Sequence, residues 1–328
     1  MINSSQHLNP DIFTDDLPME PSRNGFGKAL VDAGKENDAI VALCADLAES
    51  TRMHWFQAEF PERYVEIGVA EQNLATVGAG MAAAGKIPFI ASYATFNPGR
   101  NWEQIRTTIC LNESNVKVVG SHAGVSVGPD GATHQALEDI ALTRVLPHMT
   151  VLVPADSNEA YKATRAAAEL DGPVYIRLAR EKAPVFTTDQ TLFEIGKAQV
   201  LIDSESPDVT VIACGDMVYQ TLLAAKKLEG DITVNVINLS TIKPLDSKTI
   251  LDQVKKSGAA VTVEEHQIAG GMGSAVAELL AQELPTPIEF VGVHDRFGQS
   301  GNKEELYKEY GLDVDGIIGS IRKVLARK

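Results

Sequence analysis

The chain has 328 residues, of which 44% are hydrophobic and 22% charged, and its formal net charge is −15. That length supports two domains, or one large one, with ample core. The charge argues against nucleic acid as a general partner, although a few local arginines can still hold an anionic substrate. No apolar run reaches membrane-spanning length. The polar, acidic start MINSSQHLNPDIFTDDLPME lacks the basic and apolar regions of a secretion signal. Cys44, Cys110 and Cys214 lie far apart, as expected of buried thiols in a reducing compartment, so a cytoplasmic location is expected.

Residues 1–20 are expected to be mobile or to lie on a neighbouring subunit. Ser22 is placed to cap a helix over NGFGKALVDAGKEN, which ends in the polar turn at Asn37. AIVALCADL reads as a strand buried on both faces, with Asp46 and Ser50 beyond its C-terminal end, the side where parallel sheets keep their sites. Taken alone, Asp46 would also suit a turn cap. RYVEIG is a short strand and AEQNLATVGAGMAAAG the helix after it, whose Gly and Ala content permits close packing against a neighbour. Glu71 sits at the junction. It is either a first-turn glutamate at a helix dipole or a buried carboxylate that must be neutral or bonded to a partner.

KIPFIASY is the next strand, with Tyr93 and Phe96 at its end, spaced to face one planar ligand or to enter the core. NWEQIRTTICLNESN reads as a helix and VKVVG as a strand. The stretch Ser121–His134, SHAGVSVGPDGATH, follows, and a helix is expected from His134 through HQALEDIALTR. Such a loop, between a strand end and a helix N-terminus, is a ligand position in open α/β folds, although His122 and His134 would also suit a plain surface loop. TVLVPAD, the helix SNEAYKATRAAAELDG with Ser157 and Glu159 in a capping arrangement, and PVYIRLAR complete the series. Strand and helix alternate about six times, giving a mostly parallel sheet covered on both faces.

KAPVFTTDQTLFEIGKAQVL has weak periodicity and is the linker. Beyond it a smaller α/β domain of four or five strands is expected. The domain limits are 21–183 for the first domain, 184–200 for the linker and 201–328 for the second. GGMG at Gly270–Gly273 lacks the full dinucleotide fingerprint and reads as a tight turn with close helix packing.

IGVAEQN, SYATFNPGR, SHAGVSVGPDGATHQ and VHDRFGQSG, in this order and spacing, resemble the C-terminal two domains of transketolase. The resemblance runs from about Pro21 to the end of the chain. It implies one subunit of a split enzyme: a pyrimidine-binding domain and a transketolase C-terminal domain, active with a separate N-terminal subunit that holds the diphosphate of thiamine diphosphate and its Mg²⁺. It further implies pairs of this subunit joined through their first domains, two copies of each chain in all. The reaction would move a two-carbon ketol unit between phosphorylated sugars, as in sedoheptulose 7-phosphate plus glyceraldehyde 3-phosphate giving ribose 5-phosphate and xylulose 5-phosphate.

On the cofactor side, the resemblance assigns Glu71 to the pyrimidine nitrogen, Tyr93 and Phe96 to the pyrimidine face, Leu47 to an apolar prop and Asp46 to a position nearby. On the substrate side, it assigns His134 to the donor's oxygens and to proton movement, and Asp130 to the C2 hydroxyl of the acceptor. Arg23, Ser50, His122 and Arg180 form the phosphate end, where guanidinium forks suit phosphate oxygens. No metal ligands are expected on this chain. Glu264, Glu265 and His266 are expected towards the interface and the outer wall of the cleft, without a catalytic part, and VHDRFGQSG is expected to be mainly structural. Three departures stand out: NPGR after Phe96, Ala123 where many transketolases have aspartate, and Pro129 where they have glutamate. The alternatives are a 1-deoxy-xylulose-5-phosphate synthase-like chain, a 2-oxo acid dehydrogenase β-type subunit, and a non-catalytic regulatory subunit of a full-length homologue.

Overall fold

A computed structural model describes residues 2–328. Six parallel strands, Ile40–Cys44, Tyr64–Glu66, Ile87–Tyr93, Lys117–Ser121, Thr150–Leu152 and Val174–Arg177, form most of a seven-stranded sheet. Their spatial order is 150–152, 174–177, 117–121, 87–93, 40–44, 64–66. Every residue of Ile40–Cys44, Lys117–Ser121 and Val174–Arg177 is buried, as continuous apolar runs covered on both faces should be. The seventh strand, Thr241–Lys243, arrives from the second half of the chain and pairs antiparallel with Thr150–Leu152. Three residues carry too short a pattern to be read as a strand in the sequence.

The second sheet runs 288–293, 260–267, 209–213, 234–238, 199–202, with the first four strands parallel and Gln199–Ile202 antiparallel. The two halves share one apolar core. Met149, Val151 and Val153 of the first pack in a cluster with Ile212, Ile237, Leu239 and Ile242 of the second. The fold is therefore α/β, with two mostly parallel sheets covered by helices. The three cysteines are free and buried, and no helix is long and apolar enough to cross a membrane.

Several local expectations need correction. The leader is neither free nor on a neighbour. Ile2 bridges Ile202, Asn3 N–H donates to Leu201 O at 2.8 Å, and Ile12 and Leu17 are buried in the second half's core. Those scattered apolar residues suffice to dock an otherwise polar segment. Ser22 is helical, in Ser22–Glu36, and its hydroxyl instead accepts from Ala179 N–H at 2.8 Å. The helix Ser157–Glu169 is capped by Asp156, which accepts from Glu159 N–H. Ile105–Cys110 is wound as a π-helix after the short turn Trp102–Gln104. The helix expected from His134 begins only at Asp139, because Ala136 pairs with Ala123 and its carbonyl accepts from Gly124 N–H. Glu264, Glu265 and His266 do not lie on an outer wall; they are at most 4% exposed. Glu264 accepts from Met272 and Gly273 N–H, so GGMG lets a helix N-terminus meet a carboxylate of its own chain.

Arg177 is structural. Its Nε donates to Asp139 at 2.8 Å, where Tyr175 OH also donates, and its Nη2 donates to Glu265 O. Both charges are buried. Replacing Arg177 with Met leaves the Asp139 carboxylate without its counter-charge, a loss of roughly 3–5 kcal/mol. Denaturant unfolding of the subunit should show it as a lowered midpoint.

Candidate active site

The C-terminal ends of five neighbouring strands carry the singled-out residues in spatial order: Arg180, His122, Tyr93, Asp46, then Glu71. This is the edge where parallel strands leave a crevice for ligands. The sequence scatters these side chains over more than a hundred positions, and the sheet brings them to one line.

At one end, Glu71 opens the helix Glu71–Ala83 and is 2% exposed. Arg100 Nη1 donates to Glu71 Oε2 at 2.7 Å, so the buried carboxylate is bonded rather than lone. Among the described residues Oε1 has no hydrogen-bond partner and remains available to an incoming donor. Asn101 Nδ2 donates to Glu71 O at 2.9 Å and to Asn97 Oδ1, while Asn97 is itself buried and bonded to strand carbonyls, which fixes the turn after Phe96. The NPGR turn thus delivers Arg100 to Glu71, and its guanidinium lies over the Phe96 ring, 4.4 Å from the centroid.

At the other end is a pocket of about 300 Å³ lined by Arg23, Glu49, Ser50, Arg52, Tyr93, His122 and Arg180, three arginines against one carboxylate. Arg23 Nη1 donates to Ser50 O at 2.8 Å and to His122 Nε2 at 3.2 Å. A guanidinium can only donate, so Nε2 accepts, and the ring proton sits on Nδ1, facing Ser121 Oγ at 2.8 Å. Burial, then Arg23, Arg180 and Arg52, push the His122 pKa down to about 2, so the ring is a neutral acceptor that orients Arg23. Burial and the other two arginines lower Arg23 to about 10. Three mutually repelling arginines in a chain of net charge −15 form a site that gains from an anion. Arg52 was not singled out in the sequence. It sits at a left-handed junction (φ 69°) between two short helices, held by Asn24 and by Glu49 O, and only the tertiary fold turns it towards Arg23.

Aromatic rings join the two ends. Tyr93 stacks on His122 at 3.9 Å and lies nearly parallel to Phe96, with centroids 6.2 Å apart. One Tyr93 face is therefore taken, and that ring belongs as much to the anion end as to Phe96. His134 meets Phe96 and Tyr93 edge-on at 5.5 and 6.0 Å. Asp130 is exposed and ends the 3₁₀ segment Val125–Asp130. Asp46 is exposed in a left-handed conformation (φ 57°), its N–H bonded to Glu66, and Leu47 is half-buried beside it. Among the described residues no group of three or more His, Cys, Asp or Glu is placed to hold a metal ion.

A buried carboxylate, an aromatic wall, a trio of arginines and a histidine between them suit an anionic, partly planar set of ligands. The family model for the transketolase pyrimidine-binding domain matches residues 21–185, and that for the transketolase C-terminal domain matches 196–317. The chain belongs to the transketolase family. It is 42% identical to a Methanocaldococcus jannaschii protein named as a transketolase C-terminal section, over 93% of this chain and 96% of that one. It is 39% identical to a 6-deoxy-6-sulfo-D-fructose transketolase subunit of a Clostridium species, over 93% and 95%. A solved split-gene transketolase, described as an inactive β4 tetramer, is similar at 44% identity and a TM-score of 0.87, with 93% of this chain and 98% of that chain covered.

Proposed function

We propose that this chain is the C-terminal subunit of a thiamine diphosphate-dependent transketolase that moves a two-carbon ketol unit from a ketose phosphate to an aldose phosphate. The observation that carries this reading is the single line of side chains from Glu71 and Phe96, past His134, to the arginine pocket. The residues suit the cofactor. Glu71 keeps one oxygen unpartnered, able to share a proton with the ring nitrogen of an aminopyrimidine, and its partner Arg100 lies over the Phe96 ring. When bound, thiamine diphosphate supplies an electron sink for the cleavage and transfer of the ketol unit.

The protein groups then divide the work. Glu71 would share a proton with the pyrimidine nitrogen, Phe96 would stack on that ring, and Tyr93 would continue the aromatic wall. Leu47 props the cofactor, with Asp46 beside it. His134 holds the donor's oxygens and moves a proton at them, and Asp130 reads the acceptor's C2 hydroxyl. Arg23 and Arg180, joined by Arg52, hold the terminal anion with Ser50 beside them, and His122 takes part by orienting Arg23 through Nε2. One relative is named for a sulfo-sugar, so a sulfonate is considered beside a phosphate. Both are tetrahedral anions, so the arginine pocket suits either, and the sedoheptulose 7-phosphate reaction is the version proposed here.

The diphosphate and Mg²⁺ belong in this reading to a separate N-terminal subunit, in keeping with relatives named as a C-terminal section and as a subunit. Val69 is 68% exposed next to Glu71, and Val77 is 39% exposed on the helix that follows. That apolar face suits pairing of two copies through their pyrimidine-binding domains, each flanked by its partner.

Arg180→Ala in the assembled enzyme tests the anion end. Losing a charge-assisted contact of about 1.5–3 kcal/mol should raise the KM for xylulose 5-phosphate roughly tenfold to a hundredfold. Hydroxypyruvate, which has no phosphate, should be little affected. An equal loss on both donors would mean that Arg180 acts only through its bond to Val127 O.

A further inference from the structure

We propose that Glu265, from the C-terminal half, is a positioning residue for the segment Ser121–His134, so that this half sets how the sugar is held. The proposal rests on the reading above, in which Asp130 and His134 of that segment face the sugar.

The segment has little structure of its own to fix it. Val125–Asp130 is a 3₁₀ run broken at Gly128, where φ is 80° and ψ is −117°. Beyond it, Gly131 N–H bonds to Gly128 O and His134 N–H to Gly131 O. Its place therefore depends on groups outside it. From the pyrimidine-binding domain, Arg180 holds Val127 O, and Gln135 Nε2 holds Val125 O at 2.9 Å and also reaches Gln299 O. The matching anchor is Glu265, on the strand Ala260–Gln267 and 139 positions away, whose Oε1 accepts from the buried Ser126 N–H. Glu265 Oε2 faces Tyr307 OH at 3.3 Å.

The backbone is shaped for this contact. Gly124 has φ +86°, and a Cβ there would lie 2.4 Å from the Glu265 carboxyl carbon, so a side chain would exclude the carboxylate. The far flank is tied to the same strand. Arg177 Nη2 donates to Glu265 O at 2.8 Å, while its Nε pairs with Asp139, which opens the helix beyond His134. Asp130 and His134 are thus held between two attachments to one strand of the C-terminal half.

A carboxylate is a costly choice for packing alone. Glu265 is 4% exposed, and burial followed by the nearby Asp216 raises its pKa to about 7. An apolar side chain would fill the seam without that penalty. What the carboxylate adds is a strong acceptor for a buried backbone N–H that has no other partner.

The test uses the enzyme assembled with its N-terminal partner, with xylulose 5-phosphate as donor and ribose 5-phosphate as acceptor. Glu265→Asp keeps the charge but withdraws the acceptor by one methylene, whereas Glu265→Gln keeps both length and acceptor oxygen. In the Asp variant the KM values for xylulose 5-phosphate and ribose 5-phosphate should each rise roughly tenfold and kcat should fall through His134, while the Gln variant should stay near wild type. Thiamine diphosphate affinity, followed by fluorescence titration, should be equal in all three. Asp130→Asn and His134→Ala are the controls. If both controls leave binding and turnover unchanged, the segment does not face the sugar and the proposal falls with that reading. If the controls are impaired while Glu265→Asp binds the sugar like wild type, the proposal alone is overturned. It is also overturned if Glu265→Gln is as weak as Glu265→Asp, or if cofactor affinity falls along with sugar binding.

Discussion

In the assembled enzyme, Glu71→Gln should lower ketol transfer by roughly 10²–10⁴-fold, the range for removing a positioned acid–base group. Folding and assembly should be nearly unchanged. Gln matches Glu in size, so the N-terminal turn of the helix Glu71–Ala83 keeps its packing, and Asn101 still bonds the backbone carbonyl of residue 71. The ion pair that is lost has a partner, Arg100, whose side chain is 47% exposed, so water takes over the freed guanidinium at little cost in stability. What Gln cannot do is accept and return a proton at the pyrimidine nitrogen. The deficit should therefore appear before any sugar is bound, as slowed exchange of the cofactor's thiazolium C2 proton. Glu71→Ala should show the same defect. Exchange at the wild-type rate in either variant would remove Glu71 from its role.

Much of this site was legible because its residues lie at the ends of runs with strong local patterns. IVALC, IPFIASY and KVVGS are apolar enough to be read as buried strands; Asp46 and His122 lie just beyond such strands and Tyr93 ends one. The groups that escaped notice depend on distant contacts. Arg52 follows a four-residue helix in a left-handed conformation, and nothing nearby in sequence says that it will meet Arg23 and Arg180. Glu265 looked like part of a polar cluster on a surface, because no local pattern reveals that Gly124 leaves room for its carboxylate. Helical spacing from His134 onward was real but incomplete: pairing of Ala136 with Ala123 outweighed it for the first five residues. The leader misled for the opposite reason. Its few apolar residues, Ile2, Ile12 and Leu17, are too sparse to give a period, yet each finds a place on the second half's core.

Dependence on a second chain has the largest expected effect, since activity should pass from none to full. In the proposed reading, Glu71 would offer its open oxygen to the pyrimidine end of the cofactor and the arginine pocket would hold the far end of the sugar. The proposed partner holds the diphosphate and Mg²⁺ between them, and neither chain then completes the site. In the proposed reading, exposed Val69 and Val77 would let the isolated chain pair with itself, and the similar split-gene chain is described as an inactive tetramer. The decisive measurement is a reconstitution assay: ketol transfer from xylulose 5-phosphate to ribose 5-phosphate by this chain alone, by the N-terminal subunit alone, and by the two mixed, with thiamine diphosphate and Mg²⁺ throughout and mass determined in solution. The account predicts no turnover from either chain, full turnover from the mixture, and a mass equal to two copies of each. Full turnover by the highly purified chain alone would contradict it.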